Sequence, residues 1–183
     1  MRILGVDPGL TRCGVGIIDA TNPRQLSLVH VEVIQTSPQL DLAARLAAVK
    51  VGLAELLDEY QPHHIAIERV FAQHNLRTVM GTAQASAVAL VEAHERGLGV
   101  EMHTPSEVKA AVTGNGRANK AQVASMVQRL LKMPEQKLLP DATDALALAI
   151  CNAWRSSAPA GSAHQLTPAQ QRWRDAERQA RKK

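Results

Sequence analysis

At 183 residues the chain has room for one domain of common size and a short tail. Its 45% hydrophobic content is ordinary, and no apolar run nears the roughly 20 residues that cross a bilayer; with no cationic stretch leading into an apolar signal core, this points to a cytoplasmic protein without membrane attachment. The net charge of +4 arises at the end of the chain, where seven Arg/Lys against two acids from Trp154 onward leave the first 153 residues close to neutral, so DNA binding by the folded part requires a segregated basic surface and masked acids.

In chain order, Ile3, Leu4 and Val6 form a short apolar strand that ends on Asp7, Pro8-Gly9 turns the chain, and Val15, Ile17 and Ile18 begin a second strand. Asp7 is either a solvated turn cap or an anchor for something cationic. After Asn22-Pro23, alternation places Val29, Val31 and Val33 on one face and His30 and Glu32 on the other, which predicts three short strands in an antiparallel meander. Leu42, Leu46, Val49, Leu53, Leu56 and Tyr60 recur at steps of three and four, one face of a helix ending before Pro62.

His64 to Glu68 reads as a buried strand whose last residue is again a carboxylate. The alanine-rich stretch from Asn75 to Arg96 is predicted helical, Gly99 to His103 a brief strand, Pro105 to Val112 and Lys120 to Lys132 helices, and Pro140-Asp141 opens a last helix to about Trp154. The order βββαβαβα, with extra helical material before the end, indicates an α/β fold with a mixed five-stranded sheet flanked by helices over residues 1–154. Residues 155–183 begin with the linker-like SSAPAGSA and continue basic and poor in apolar residues, which predicts a disordered tail. Cys13 and Cys151 lie in apolar periodic segments without metal-ligand spacing, as buried reduced thiols do.

Asp141 and Asp144 stand at i and i+3 in the first turn of the last helix, where negative charge also serves as a cap. Together with Asp7 and Glu68 at strand ends they make four acids able to converge if the strands are neighbours and the helix crosses them. Clustered carboxylates oppose one another's ionisation, and a divalent cation relieves that cost. Hard oxygen ligands without Cys or clustered His select Mg²⁺ or Mn²⁺. Two such ions about 3.5–4 Å apart suit an in-line phosphoryl displacement, so the chemistry implied is phosphodiester hydrolysis.

GVDPGLTRCGVGIID, AIERVFAQHN, Lys109 and Lys120 around GNGRANK, and PDATDALALAI together resemble the RuvC family of Holliday-junction resolvases, nucleases of RNase H-like fold, over roughly residues 1 to 153. The resemblance implies that Asp7, Glu68, Asp141 and Asp144 are the catalytic, metal-binding residues, holding two Mg²⁺ with Mn²⁺ able to substitute. It also implies a homodimer acting on four-way junction DNA with a branch-migration helicase complex of the RuvA and RuvB type.

Phe71 is the single phenylalanine of the chain and either folds back on the core or stacks on an unpaired base. The resemblance implies a wedge at the junction centre. Lys109 and Lys120 flank the turn Gly114 to Arg117; read alone they are solvated lysines, and the resemblance makes them phosphate contacts, joined by Arg117. Arg69, His74, Asn75 and Arg77 are expected on the same surface, whereas His63, His64 and His103 form no metal motif. The row of small residues Gly81, Ala83, Ala85, Ala87, Ala89 and Ala93 suits packing on a partner or on the chain's own sheet. The rival readings are another RNase H-like nuclease, a single-lobe nucleotide-binding protein of actin-like or sugar-kinase type, and a non-catalytic binding module. Against the second stand the single lobe and the lack of a second Gly-rich loop.

Overall fold

The computed structural model describes residues 1–22, 25–70, 76–134 and 138–156. Five strands, β1 (Arg2–Asp7), β2 (Arg12–Asn22), β3 (Gln25–Gln35), β4 (His64–Glu68) and β5 (Gly99–His103), form one sheet in the order β3-β2-β1-β4-β5. β1, β2 and β3 are antiparallel neighbours, while β4 runs parallel to β1 and β5 parallel to β4. Helices α1 (Leu42–Tyr60) and α2 (Leu76–Glu95) cover one face; α3 (Pro105–Thr113), α4 (Lys120–Leu130) and α5 (Pro140–Ser156) cover the other. Among the described residues no helix is long and apolar enough to cross a membrane.

The side-chain alternation of a strand sorts β1 between the two layers. Leu4 and Val6 join Val15, Ile17, Ile65 and Ile67 beneath α1 and α2, whereas Ile3, Ile18 and Ala66 pack under α5. The same parity sends Gly5, Asp7, Gly14, Gly16 and Glu68 toward α5. A Cβ on Gly5 would strike the carbonyl oxygen of Ala145, and one on Gly14 the carbonyl oxygen of Asp141. α5 therefore rests directly on the β1–β2 backbone, burying every residue from Ala145 to Ala153. Cys13 and Cys151 are free and buried, as expected.

The strands β2 and β3 are longer than predicted, 11 residues each. Their register also slips between Ile17 and Ile18, where Ile17 faces His30 but Ile18 faces Leu28. Val29 is the extra residue of this bulge. As a result Val29 packs on the α1 side and Val31 on the α5 side, so the expected single face of Val29, Val31 and Val33 is broken. His30 instead stacks on Tyr60 of α1, their rings 4.9 Å apart.

α1 and α2 are pinned together by charge. Glu92, 1% exposed, lies 2.9 Å from Lys50 Nζ and 2.6 Å from Arg96 Nη1, and Arg96 continues to Asp58 at 2.8 Å. A buried carboxylate is tolerated because two cations face it. α5 runs to Ser156, and Arg155 Nη1 meets Glu107 Oε1 of α3 at 2.9 Å. The rest of the tail, from 157, lies outside the described residues.

Candidate active site

β1 and β4 pair in parallel with Val6 beside Ile67, so each strand's next residue, Asp7 and Glu68, ends its strand side by side on the α5 face. Asp144 approaches from α5. These three acids, with Lys109 of α3 and Lys120 at the start of α4, line a cleft of about 220 Å³. Asp7 also borders a second cleft of about 460 Å³ on its other side, shared with Asp141 and Arg12. The four acids thus gather around Asp7. Asp141 lies in the first turn of α5, but Asp144 sits one turn further in, beyond the expected first-turn position.

Burial, followed by the charges of Glu68, Asp144 and Asp141, pushes the Asp7 carboxyl up to about 8, and Lys120 opposes this only in part. Glu68 is raised as well, by burial and then by Asp144, with Lys120, a hydrogen bond shared with Asp7, and Lys109 pulling the other way. Lys120 Nζ donates to Asp144 Oδ2 at 3.0 Å, a bond that raises the ammonium's own pKa. On the far side, Arg12 Nε lies 3.0 Å from Asp141 Oδ2, at ion-pair distance without hydrogen-bond alignment. Each helix acid therefore carries a cation of the chain itself.

This donor set fits a hard divalent cation: four carboxylates, no sulfur or imidazole, and a charge repulsion that positive charge would relieve. Among the described residues the acids are not drawn into a finished coordination group of three. Asp144 is bonded to Lys120, and Asp141 lies at ion-pair distance from Arg12.

Local signals place the lysines. Thr104 and Glu107 form a capping box with Pro105 at the first helical position, fixing α3 and with it Lys109 immediately after β5. Asn119 and Gln122 cap α4 in the same way, so Lys120 projects from its first residue. The turn between them is not an open phosphate cradle. The N–H of Gly114 donates to Ala110 O, that of Asn115 to Thr113 Oγ1 and that of Arg117 to Asn115 Oδ1.

Arg117 and Arg69 are exposed and line neither acid cleft. Phe71, His74, Asn75 and the Arg77 side chain lie outside the described residues. His103 is buried with Nε2 3.2 Å from Asn152 Oδ1, a structural role as expected. Sequence reasoning missed Arg12. Its signal was strand parity, since Arg12, Gly14 and Gly16 face α5 together.

Known proteins match this chain in sequence and in fold. Residues 3–152 match the family model described as crossover junction endodeoxyribonuclease RuvC. The protein of that name from Leifsonia xyli is 55% identical over 97% of this chain and 92% of its own length, and the one from Renibacterium salmoninarum is 52% identical over 100% and 95%. The structure of T. thermophilus RuvC in complex with Holliday junction substrate superposes with a TM-score of 0.82 at 32% identity, covering 86% of this chain and 95% of that one. The match of residues 3–152 to the family model, with 55% and 52% identity over nearly the full length of these relatives, places this chain in the RuvC family of crossover junction endodeoxyribonucleases.

Proposed function

We propose that the chain resolves four-way DNA junctions by paired, symmetric, metal-dependent hydrolysis of phosphodiester bonds during recombination and repair. The observation that carries this reading is the position of Asp7, raised in pKa by burial and by the neighbouring acids and shared by two clefts, each lined by one helix acid and two cations.

Asp7, Glu68, Asp141 and Asp144 would hold two Mg²⁺, or Mn²⁺ in their place. When bound, the ions supply charge to activate a water and to stabilise the leaving 3′ oxygen. The chain's own groups do the rest. Lys120 leaves Asp144 for a non-bridging phosphate oxygen, and Lys109, on the same cleft wall, takes a second. The half-buried floor under α5 limits water around the scissile bond, which strengthens each of these contacts.

Two equivalent strands must be cut in one junction, and a C₂ homodimer meets that geometry with two like sites. Support comes from α2, where Met80, Ala87 and Val91 share a face left exposed by the described residues. By family resemblance a branch-migration helicase complex of RuvA and RuvB type supplies the junction.

The decisive experiment incubates the protein with a synthetic four-way junction, a linear duplex and an RNA–DNA hybrid, with Mg²⁺ or chelator. Paired, religatable nicks on the junction alone are expected; cutting of the hybrid, or ATP turnover without nicking, would overturn the reading. Phe71, on the segment leaving Glu68, is proposed to stack on a base where strands part. Phe71→Ala is expected to slow junction cleavage about tenfold, a loss in line with one stacking contact, while Mg²⁺ still raises the melting temperature as in the wild type. Equal cleavage rates would remove this role.

A further inference from the structure

The larger cleft, on the side of Asp7 away from Lys109 and Lys120, has a use of its own. Its walls are the β1–β2 turn and the facing ends of α1 and α2, and its lining includes Thr11, Arg12, Arg45, Thr78 and Thr82. Arg45 is the informative residue. Its guanidinium donates from Nε to Thr36 Oγ1 at 2.9 Å and from Nη2 to Thr11 Oγ1 at 2.7 Å. Thr36 in turn donates to Leu10 O, so the two hydroxyls that hold Arg45 are themselves fixed by the turn.

Among the described residues Arg45 meets no carboxylate within ion-pair distance. An arginine oriented by neutral oxygens keeps its full charge for something else, and its planar fork suits phosphate. Arg12, at the mouth of the same cleft, is occupied by Asp141 but largely exposed, free to turn toward an anion.

We propose that this cleft is a second backbone-phosphate subsite, where Arg45 and Arg12 grip a phosphodiester next to the one cleaved. The inference rests on the junction-nuclease reading and extends it. The acids then lie between two cationic grips, Lys109 and Lys120 on one side and Arg45 and Arg12 on the other. A strand gripped at a neighbouring phosphate as well as at the scissile one presents the latter to the acids in a fixed register.

The test uses the full chain and junctions in which single phosphates of the cleaved strand are replaced by neutral methylphosphonates, with binding measured in chelator. Wild type is expected to lose about tenfold in affinity when one of the two phosphates flanking the scissile one is neutralised, as loss of one charged hydrogen bond implies. Arg45→Gln, whose amide nitrogen stands where Nε does and can still donate to Thr36, should bind about tenfold more weakly and be indifferent to that replacement. Its log affinity against log salt should also flatten by about one. Arg12→Gln, a substitution at an exposed side chain, should show the same pattern more weakly and stands in if Arg45→Gln melts early. Interference that persists unchanged in both variants, or no interference at either flanking phosphate, would overturn the subsite. Wild type that neither binds nor nicks a junction would instead defeat the nuclease reading itself.

Discussion

Asp7→Asn is expected to lower the cutting rate by about 10²–10³-fold or more, as loss of one charge-stabilising group does, while junction binding in chelator stays within about twofold. The same change should make the metal-free protein more stable. The Asp7 carboxyl ordinarily ionises at 3.8 and here at about 8. Between those values the folded chain keeps a proton that the unfolded chain has lost, so its stability falls as pH rises through that window. Asn at position 7 removes this dependence. At pH 8 it should gain about 2 kcal/mol after allowance for solvent screening, or roughly 4–8 °C in melting temperature. Added Mg²⁺ should raise the melting temperature of the wild type and do so much less in the variant. Melting scans from pH 4 to 8, with and without Mg²⁺, check both statements; parallel curves for the two proteins would place Asp7 outside the acid cluster.

Gly14→Ala has the second large effect, and it acts through packing. The new methyl group meets the backbone oxygen of Asp141, not a flexible side-chain end, so the helix has to lift from the sheet. Overpacking of this kind costs about 3 kcal/mol, which lowers the melting temperature by roughly 6–12 °C. Because Asp141 rides on the displaced turn, cutting should fall at least tenfold even at temperatures where the variant is fully folded. Calorimetry together with junction cleavage at 20 °C checks this. A variant that cuts normally would mean the close contact at Gly14 has no part in placing Asp141.

The convergence of the acids was readable because it follows from periodicity. Asp7 and Glu68 each end a strand, and the neighbouring glycine and alanine of the same parity, Gly5 and Ala66, leave room for a helix above. The i, i+3 spacing of Asp141 and Asp144 supplied the rest. The face of β3 was not readable, since no Gly or Pro near Val29 marks the bulge, and a single inserted residue reverses the side on which its neighbours fall. The cations were half readable. Lys109 and Lys120 announced themselves beside a glycine turn, though that turn spends its own N–H groups internally. Parity gave the face of Arg12 but not its partner, and Arg45 was silent, because those partners lie 129 and 34 positions away in the chain, at Asp141 and at Thr11. Contacts of that range depend on how the layers close, which local patterns do not express.

α5 carries two of the four acids and is also the most deeply buried helix of the fold, seated without a gap on β1 and β2. Its buried run from Ala145 to Ala153 has no small local opening available to it: to loosen that run is to undo the centre of the molecule. Backbone amides beneath the acids should consequently exchange with solvent only as fast as the whole domain unfolds. A substitution that weakens the core along this helix therefore reaches the chemistry as well.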